Sequence, residues 1–126
     1  MNAFAEQQPT FSEAEKAYLA EQRLARVATV SAKGEVDVSP IGLHFDGERF
    51  LLMGMDLPST FRWKNVQANP SVSLVVDDLA SVEPWRPRGI KVHGRGEIGK
   101  THGGRAAIFV IPDRKWSWGI EPRPSA

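Results

Sequence analysis

The sequence contains no cysteine and has few residues of the other kinds that build catalytic or metal centres. The absence of cysteine excludes disulfide bonds, thiolate nucleophiles and thiolate-bound metals. The three histidines, His44, His93 and His102, do not have the spacing of metal ligands, and no nucleophile elbow or phosphate-binding loop is present. We therefore predict no metal site and assign no catalytic residue. An enzyme with so little acid–base chemistry of its own would depend on a bound cofactor.

Long apolar runs and a strong excess of charge are also absent. No apolar run approaches the roughly 20 residues that span a bilayer, and residues 1–10 lack the basic and apolar regions of a signal peptide. Sixteen basic residues against fifteen acidic ones give a formal net charge of only +1. Such a balance does not favour nucleic acid or a membrane surface as a partner. We expect a cytoplasmic protein in which any anion-binding site is local.

The length of 126 residues predicts one folded domain. We expect a disordered N-terminus over residues 1–10, a folded domain over residues 11–121 and a tail over residues 122–126. The stretch "SEAE", Ser12 to Glu15, has the spacing of a capping box and predicts a short helix that ends near Gln22.

Most of the remaining chain predicts short β-strands. The dipeptide Asp46-Gly47 predicts a hairpin turn, so the first three strands should form an antiparallel meander. Two helices cannot cover both faces of an open sheet, which favours a mainly β fold closed into a small antiparallel barrel. The predicted strands are residues 23–31, 36–45, 48–55, 71–78, 89–99, 106–111 and 115–120.

Pro40 lies inside the second predicted strand. Proline is tolerated in a strand at a sheet edge or at a β-bulge, and bulges recur beside functional sites. The sequence leaves both interpretations open.

The stretch "PSTFRWKNVQANP", residues 58–70, predicts a helix that Ser59 or Thr60 caps. Its first turns carry Arg62 and Lys64 and no carboxylate. A helix N-terminus is already positive, and acidic side chains are favoured there. Thr60, Arg62 and Lys64 are therefore candidates for a phosphate-binding cradle, and the alternative is a solvated basic helix face.

Two further groups of residues stand out near the C-terminus. Alternation places Lys91, His93 and Arg95 on one face of a strand. Trp116 and Trp118 flank Ser117 and face the same way, as expected for a core, a subunit interface or a ligand contact. A single-stranded nucleic-acid-binding barrel is one alternative function, in which the basic residues follow the backbone and the tryptophans stack on bases. A solvated strand face is the other interpretation of the basic group.

In this order, the elements resemble the pyridoxamine 5′-phosphate oxidase-like split-barrel family, and in particular its small deazaflavin (F-420)-dependent branch. The resemblance covers residues 11–121. Its most specific parts are residues 65–78, with "NP" before an apolar strand, and the stretch "DDLASVEPWRPRG". It implies a six-stranded antiparallel split β-barrel of the FMN-binding type, with short flanking helices, that forms a homodimer with two cofactor sites across the interface.

The resemblance also implies roles for individual residues. It places the phosphate at the start of the helix after the third strand, the ring edge along the second strand, the end of the third strand beneath the ring, and C-terminal tryptophans of the partner subunit beside it. The corresponding residues are Thr60, Arg62, Lys64 and Asn65; Ser39, Pro40 and Ile41; Met53 and Met55; and Trp116 and Trp118. The basic C-terminal motif of true pyridoxamine-phosphate oxidases is missing, so vitamin B6 oxidation is not indicated.

The function implied by the resemblance is hydride transfer from reduced coenzyme F-420 to a small unsaturated or carbonyl compound. FMN in the same pocket, and a flavin carrier without turnover, are the alternatives within this fold. His44 and His93 are candidate proton donors by residue type alone, and solvent is a third source of the proton.

Overall fold

The structure is a computed structural model that describes residues 8–120. Residues 1–7 of the N-terminus predicted to be disordered over residues 1–10, and the tail over residues 122–126, lie outside the described residues. Neither described helix has the length and apolar character needed to cross a membrane. The helices are α1 (Glu13–Glu21) and α2 (Phe61–Ala68), and the strands are β1 (Leu24–Val30), β2 (Val36–Gly42), β3 (Phe50–Leu52), β4 (Ser71–Ser81), β5 (Arg86–Lys100) and β6 (Ala106–Trp118).

The six strands form one antiparallel sheet in the order β2, β1, β4, β5, β6, β3. A single bridge between Phe45 and Phe50 joins the two ends of this order, so the sheet curls back on itself. The result confirms the predicted mainly β, six-stranded split barrel. Its interior is apolar and includes Val27, Phe50, Val76, Ile90, Val92, Ile108 and Val110, each with no exposed surface.

The predicted meander of the first three strands is wrong at β3. The turn forms, because the Asp46 N–H donates to the Arg49 carbonyl at 3.0 Å. Beyond the Phe45–Phe50 bridge, however, β3 pairs with β6 over its three residues instead of continuing along β2. This pairing places Phe50 and Leu52 in the barrel interior, where 0% and 2% of the two residues are exposed. Met53 and Met55 consequently lie in the turn after β3 and not on the strand.

The two predicted C-terminal strands are one continuous strand, β6. Pro112, which lies between the two predicted strands, is at a β-bulge. Gly94 pairs with Pro112 and His93 with Arg114, which leaves Asp113 as the extra residue. A Cβ atom on Gly94 would lie 2.5 Å from the Ile111 carbonyl oxygen, so this close approach requires glycine.

Pro40 lies on the edge strand β2, whose register with β1 contains no shift. The edge interpretation is therefore correct and the bulge is absent. The Leu43 N–H donates to the Arg23 carbonyl, and the alternation of an antiparallel ladder then puts Pro40 at a position that makes no bond to β1. The sheet therefore loses no hydrogen bond, although proline has no N–H group.

The capping box predicted at Ser12 opens α1, and a buried ion pair fixes the helix to β6. The Lys115 ammonium lies 2.8 and 2.9 Å from the two carboxylate oxygens of Glu15, which is 2% exposed. Burial by itself raises the pKa of the Glu15 carboxyl, but hydrogen bonds from Lys115, Ser12 and Ser117 outweigh it and hold the pKa below its ordinary value. The pair thus keeps a charged carboxylate inside the protein.

A second polar contact ties α1 to β4 and β5. The Tyr18 hydroxyl donates to Asp78 at 2.9 Å, and Arg88 makes two further hydrogen bonds to the same carboxylate. The bonds from Arg88 are the main reason that the pKa of Asp78 is lowered. Together with the Glu15–Lys115 pair, this contact anchors both ends of α1 to the barrel.

Candidate functional site

Helix α2 begins with an uncompensated positive end. Thr60 is its N-cap, as predicted, and its hydroxyl accepts from the Trp63 N–H at 3.3 Å and donates to the Leu57 carbonyl at 2.7 Å. The first turn contains no acidic residue. The N–H groups of Phe61 and Arg62 have no acceptor within an α-helix at these positions. The helix terminus therefore offers two donors and a positive dipole to an anion.

Arg62 adds a full positive charge beside these donors. Its Nη1 atom donates to the Ser39 hydroxyl at 2.8 Å, so the side chain reaches from α2 to the edge strand β2. Its Nε atom is buried and has no hydrogen-bond partner. No carboxylate among residues 8–120 lies within 4.0 Å of the guanidinium. A buried donor on a cation without a counterion is a position that an anion would satisfy.

Lys64 and Asn65 do not join Arg62 in one cradle. Two residues along an α-helix turn the side chain by about 200°, so Lys64 projects away from Arg62. The Asn65 amide is buried and donates to the Thr29 hydroxyl at 3.0 Å, which ties α2 to β1. The predicted cradle is thus divided into Arg62 with Thr60 on one side of α2 and the exposed Lys64 on another.

Lys64 instead borders a groove of about 440 Å³, named groove A here, between α2 and the turn that joins β1 to β2. Two large apolar side chains form part of its wall, Val36 at 81% exposure and Phe61 at 72%. Neither Val36 nor Phe61 could be identified from the sequence, because a sequence pattern does not show which apolar side chains remain exposed. The groove is lined by Ser31, Ala32, Lys33, Glu35, Val36, Asp37, Phe61, Lys64, Asn65 and Ala68.

The residues predicted to line the ring edge fall on two sides of β2. Ser39 faces inward and contacts Arg62, and Ile41 faces inward and is buried in the core. Pro40 faces outward. In the turn after β3, Met55 is 94% exposed, and Met53 is partly buried. Of these five residues, the structure brings Ser39 into contact with the Arg62 side chain.

Trp116 and Trp118 lie on the outer face of the sheet. The strand registers place Trp116, Lys91, Val75, Arg26 and Pro40 in one row across five strands. Arg62 meets the sheet from the opposite side, through the inward-facing Ser39. The tryptophans and Arg62 of one chain therefore lie on opposite faces of the sheet.

The basic residues of β5 lie on the outer face of the sheet. Lys91, His93 and Arg95 share the outer face of β5, as the alternation predicts, with Val92 buried. Arg95 lies 3.9 Å from Glu97 and 3.8 Å from Asp113, which compensates its charge. Within residues 8–120, no three His, Asp or Glu side chains converge as metal ligands.

The fold and the N-terminus of α2 together define a class of protein. It is a six-stranded split barrel in which a cationic helix N-terminus lies against the edge strand. The sequence model of the family described as pyridoxamine 5′-phosphate oxidase matches residues 11–117. The chain is also 34% identical over 121 residues to a 5a,11a-dehydrotetracycline/5a,11a-dehydrooxytetracycline reductase of Streptomyces rimosus, with 88% of this chain and 84% of the relative covered. The chain belongs to the pyridoxamine 5′-phosphate oxidase family.

Solved structures agree on the fold. An F420 reductase superposes with a TM-score of 0.66 at 21% identity, over 84% of this chain and 98% of the other. An FAD-binding protein from Mesorhizobium loti superposes with a TM-score of 0.66 at 17% identity, over 88% and 94% of the two chains. These likenesses confirm the split barrel predicted from the sequence.

Proposed function

We propose that the protein is an F-420-dependent oxidoreductase that passes hydride from the reduced coenzyme to a small unsaturated or carbonyl compound. The observation that carries the proposal is Arg62, a cation with a buried, unpartnered Nε atom beside the free N–H groups of a helix N-terminus. An oxidase family and a reductase as a relative both support redox chemistry. An F420 reductase and an FAD-binding protein among the structural neighbours both support a flavin-type coenzyme, of which the deazaflavin is the one proposed here.

The residues of the site fit a phosphorylated coenzyme. Arg62 and the first N–H groups of α2 would hold its phosphate, and Ser39 keeps the guanidinium in place. Val36 and Phe61 give groove A an apolar wall. Since β2 is an edge strand, the outward N–H of Val38 has no ladder partner on that side and is available to a ring edge. When bound, reduced F-420 supplies the hydride.

Neither candidate histidine is placed to assist at Arg62. His93 lies on the outer face of β5, with its ring 4.7 Å from the Trp116 ring. His44 is exposed and borders a separate hollow beside α1. The proposal therefore takes the proton from solvent.

The test is a spectroscopic titration of the purified chain with F-420, with FMN, and with the deazaflavin that lacks the phosphate. We expect F-420 to bind at least about 10-fold more tightly than the phosphate-free deazaflavin, because the charge-assisted bonds to Arg62 are lost without the phosphate. Oxidation of the reduced coenzyme by an α,β-unsaturated ketone would distinguish an enzyme from a carrier. Tighter binding of FMN would favour the FMN alternative, and a chain that binds neither contradicts the proposal.

We further propose that the site is completed in a homodimer. The outer face of the sheet exposes Val36 at 81%, Val38 at 67%, Trp116 at 39% and Trp118 at 38%. Apolar side chains grouped on one face favour association with a second copy. These side chains lie on the face opposite to Arg62. The tryptophans of a partner chain could therefore reach the ring of a coenzyme held at Arg62, whereas the tryptophans of the same chain could not.

Size-exclusion chromatography with light scattering should give about twice the chain mass of 13.9 kDa. Val38→Lys is expected to yield a monomer, because it puts a charge into the proposed interface. Val82→Lys is the matched control, since Val82 is equally exposed at 67% but lies in the turn between β4 and β5. A wild-type monomer at micromolar concentration would contradict the shared site, and dissociation by Val82→Lys alone would move the interface to that turn.

A further inference from the structure

A second groove, named groove B here, crosses the outer face of the sheet, and the function proposed above assigns it no ligand. It has a volume of about 360 Å³ and is formed by β1, β4, β5 and β6 with the start of β2. Val30 and Val36 make one end apolar, and His93 and Arg114 stand at the other. Val36 also lines groove A, so the two grooves meet at this side chain.

Beside the far end of groove B, basic side chains surround Trp116; of these, His93 and Arg114 line the groove and Lys91 does not. The Lys91 ammonium lies 4.7 Å and the Arg114 guanidinium 5.3 Å from the centre of the Trp116 ring. The His93 ring meets the same ring edge-on at 4.7 Å. Cation–π contacts hold the basic groups in place without neutralising them.

No carboxylate offsets these charges. Among the described residues, neither Lys91 nor Arg114 has an acidic side chain within 4.0 Å. Asp113 lines the groove and lies 3.8 Å from Arg95. His93 is directly opposite Arg114 in the ladder.

We infer that groove B binds the substrate and that Arg114, with Lys91, recognises an acidic group on it. The substrate class is a flat, largely apolar organic anion, whose apolar part lies against Val30 and Val36 and whose carboxylate or acidic phenol lies at Arg114. This inference rests on the proposed function, which places the coenzyme at groove A. Because the two grooves meet at Val36, a molecule in groove B lies next to the coenzyme.

The experiment compares two probes of the same shape, anthraquinone-2-carboxylate and the neutral anthraquinone-2-carboxamide, on the coenzyme-free protein by isothermal titration calorimetry. We expect the carboxylate to bind about 10-fold more tightly than the amide to the wild type. Arg114→Gln should remove most of the preference for the carboxylate over the amide, and Lys91→Gln should remove part of it. Arg105→Gln, an exposed arginine in the turn between β5 and β6, should leave it unchanged.

Equal binding of the two probes to the wild type, or a preference that survives Arg114→Gln, would overturn the inference. Titration of the same variants with F-420 separates it from the proposed function. A chain that binds F-420 but shows no preference between the probes refutes only the anion subsite. A chain that prefers the carboxylate but binds no F-420 refutes the function and retains the subsite.

Discussion

Replacement of Lys115 by methionine is expected to lower the free energy of unfolding by about 3–5 kcal/mol, because a buried carboxylate loses its counterion. Lys115 is the partner of Glu15, which is 2% exposed. The combined variant Glu15→Gln/Lys115→Met should recover most of the loss, since glutamine is neutral and still accepts the hydrogen bond from the Ser12 N–H. Urea unfolding followed by tryptophan fluorescence measures both effects.

Lys16→Met is the matched control for this prediction. Lys16 pairs with Glu13 at 3.5 Å on the surface of the same helix, with 43% and 94% of the two side chains exposed. Exposed pairs of this kind contribute about 0–1 kcal/mol, so the control should unfold close to the wild type. If Lys115→Met were no less stable than Lys16→Met, the ion pair would not be what fixes α1.

The Glu15–Lys115 pair also predicts how the free energy of unfolding changes at acidic pH. The pKa of Glu15 is lower in the folded protein than its ordinary value of 4.5. A carboxyl with a lowered folded pKa stabilises the protein above the unfolded pKa, and this contribution is lost as the pH falls below 4.5 through the folded pKa. Glu15→Gln/Lys115→Met should therefore lose less stability than the wild type over this interval.

Arg62→Ala is expected to weaken F-420 binding by about 10- to 100-fold, which corresponds to charge-assisted hydrogen bonds of roughly 1.5–3 kcal/mol. The coenzyme-free protein should remain within about 0.5 kcal/mol of the wild type, or become slightly more stable. The substitution loses the bond to Ser39, but it also removes an unpartnered buried Nε atom and a cation at a helix N-terminus. Coenzyme titration and thermal melts of the free protein measure the two effects.

Lys64→Ala tests which side of α2 holds the phosphate. Because Lys64 is exposed and projects toward groove A, its removal should weaken binding less than that of Arg62. Added salt should reduce the affinity of the wild type more than that of Arg62→Ala, since anions compete for the intact site. Equal affinities of Arg62→Ala and the wild type would leave Arg62 as a structural link between α2 and β2.

The features that the sequence predicts correctly depend on neighbours a few residues apart. Ser12 and Glu15 are three positions apart and form the capping box, and Thr60 caps α2 through the N–H of Trp63. The alternation of Ile90 and Val92 with Lys91 identifies the buried face of β5. In each case the pattern and the contact lie within one turn or one strand.

What the sequence does not predict depends on residues far apart in the chain. The partner of β3, the bulge at Pro112 and the Glu15–Lys115 pair each join segments that no local pattern connects. The candidate site shows the same limit. The helix cap and Arg62 are predictable from composition near α2, whereas its contact with Ser39 requires the curvature of the whole sheet.

The position of β3 in the sheet affects how the chain reaches its native state. The ladder partner of β3 is β6, the last of the six described strands to leave the ribosome. Until β6 emerges, β3 lacks its ladder partner, and contacts between such distant segments form slowly. The barrel can therefore close only after almost the whole domain has been synthesised.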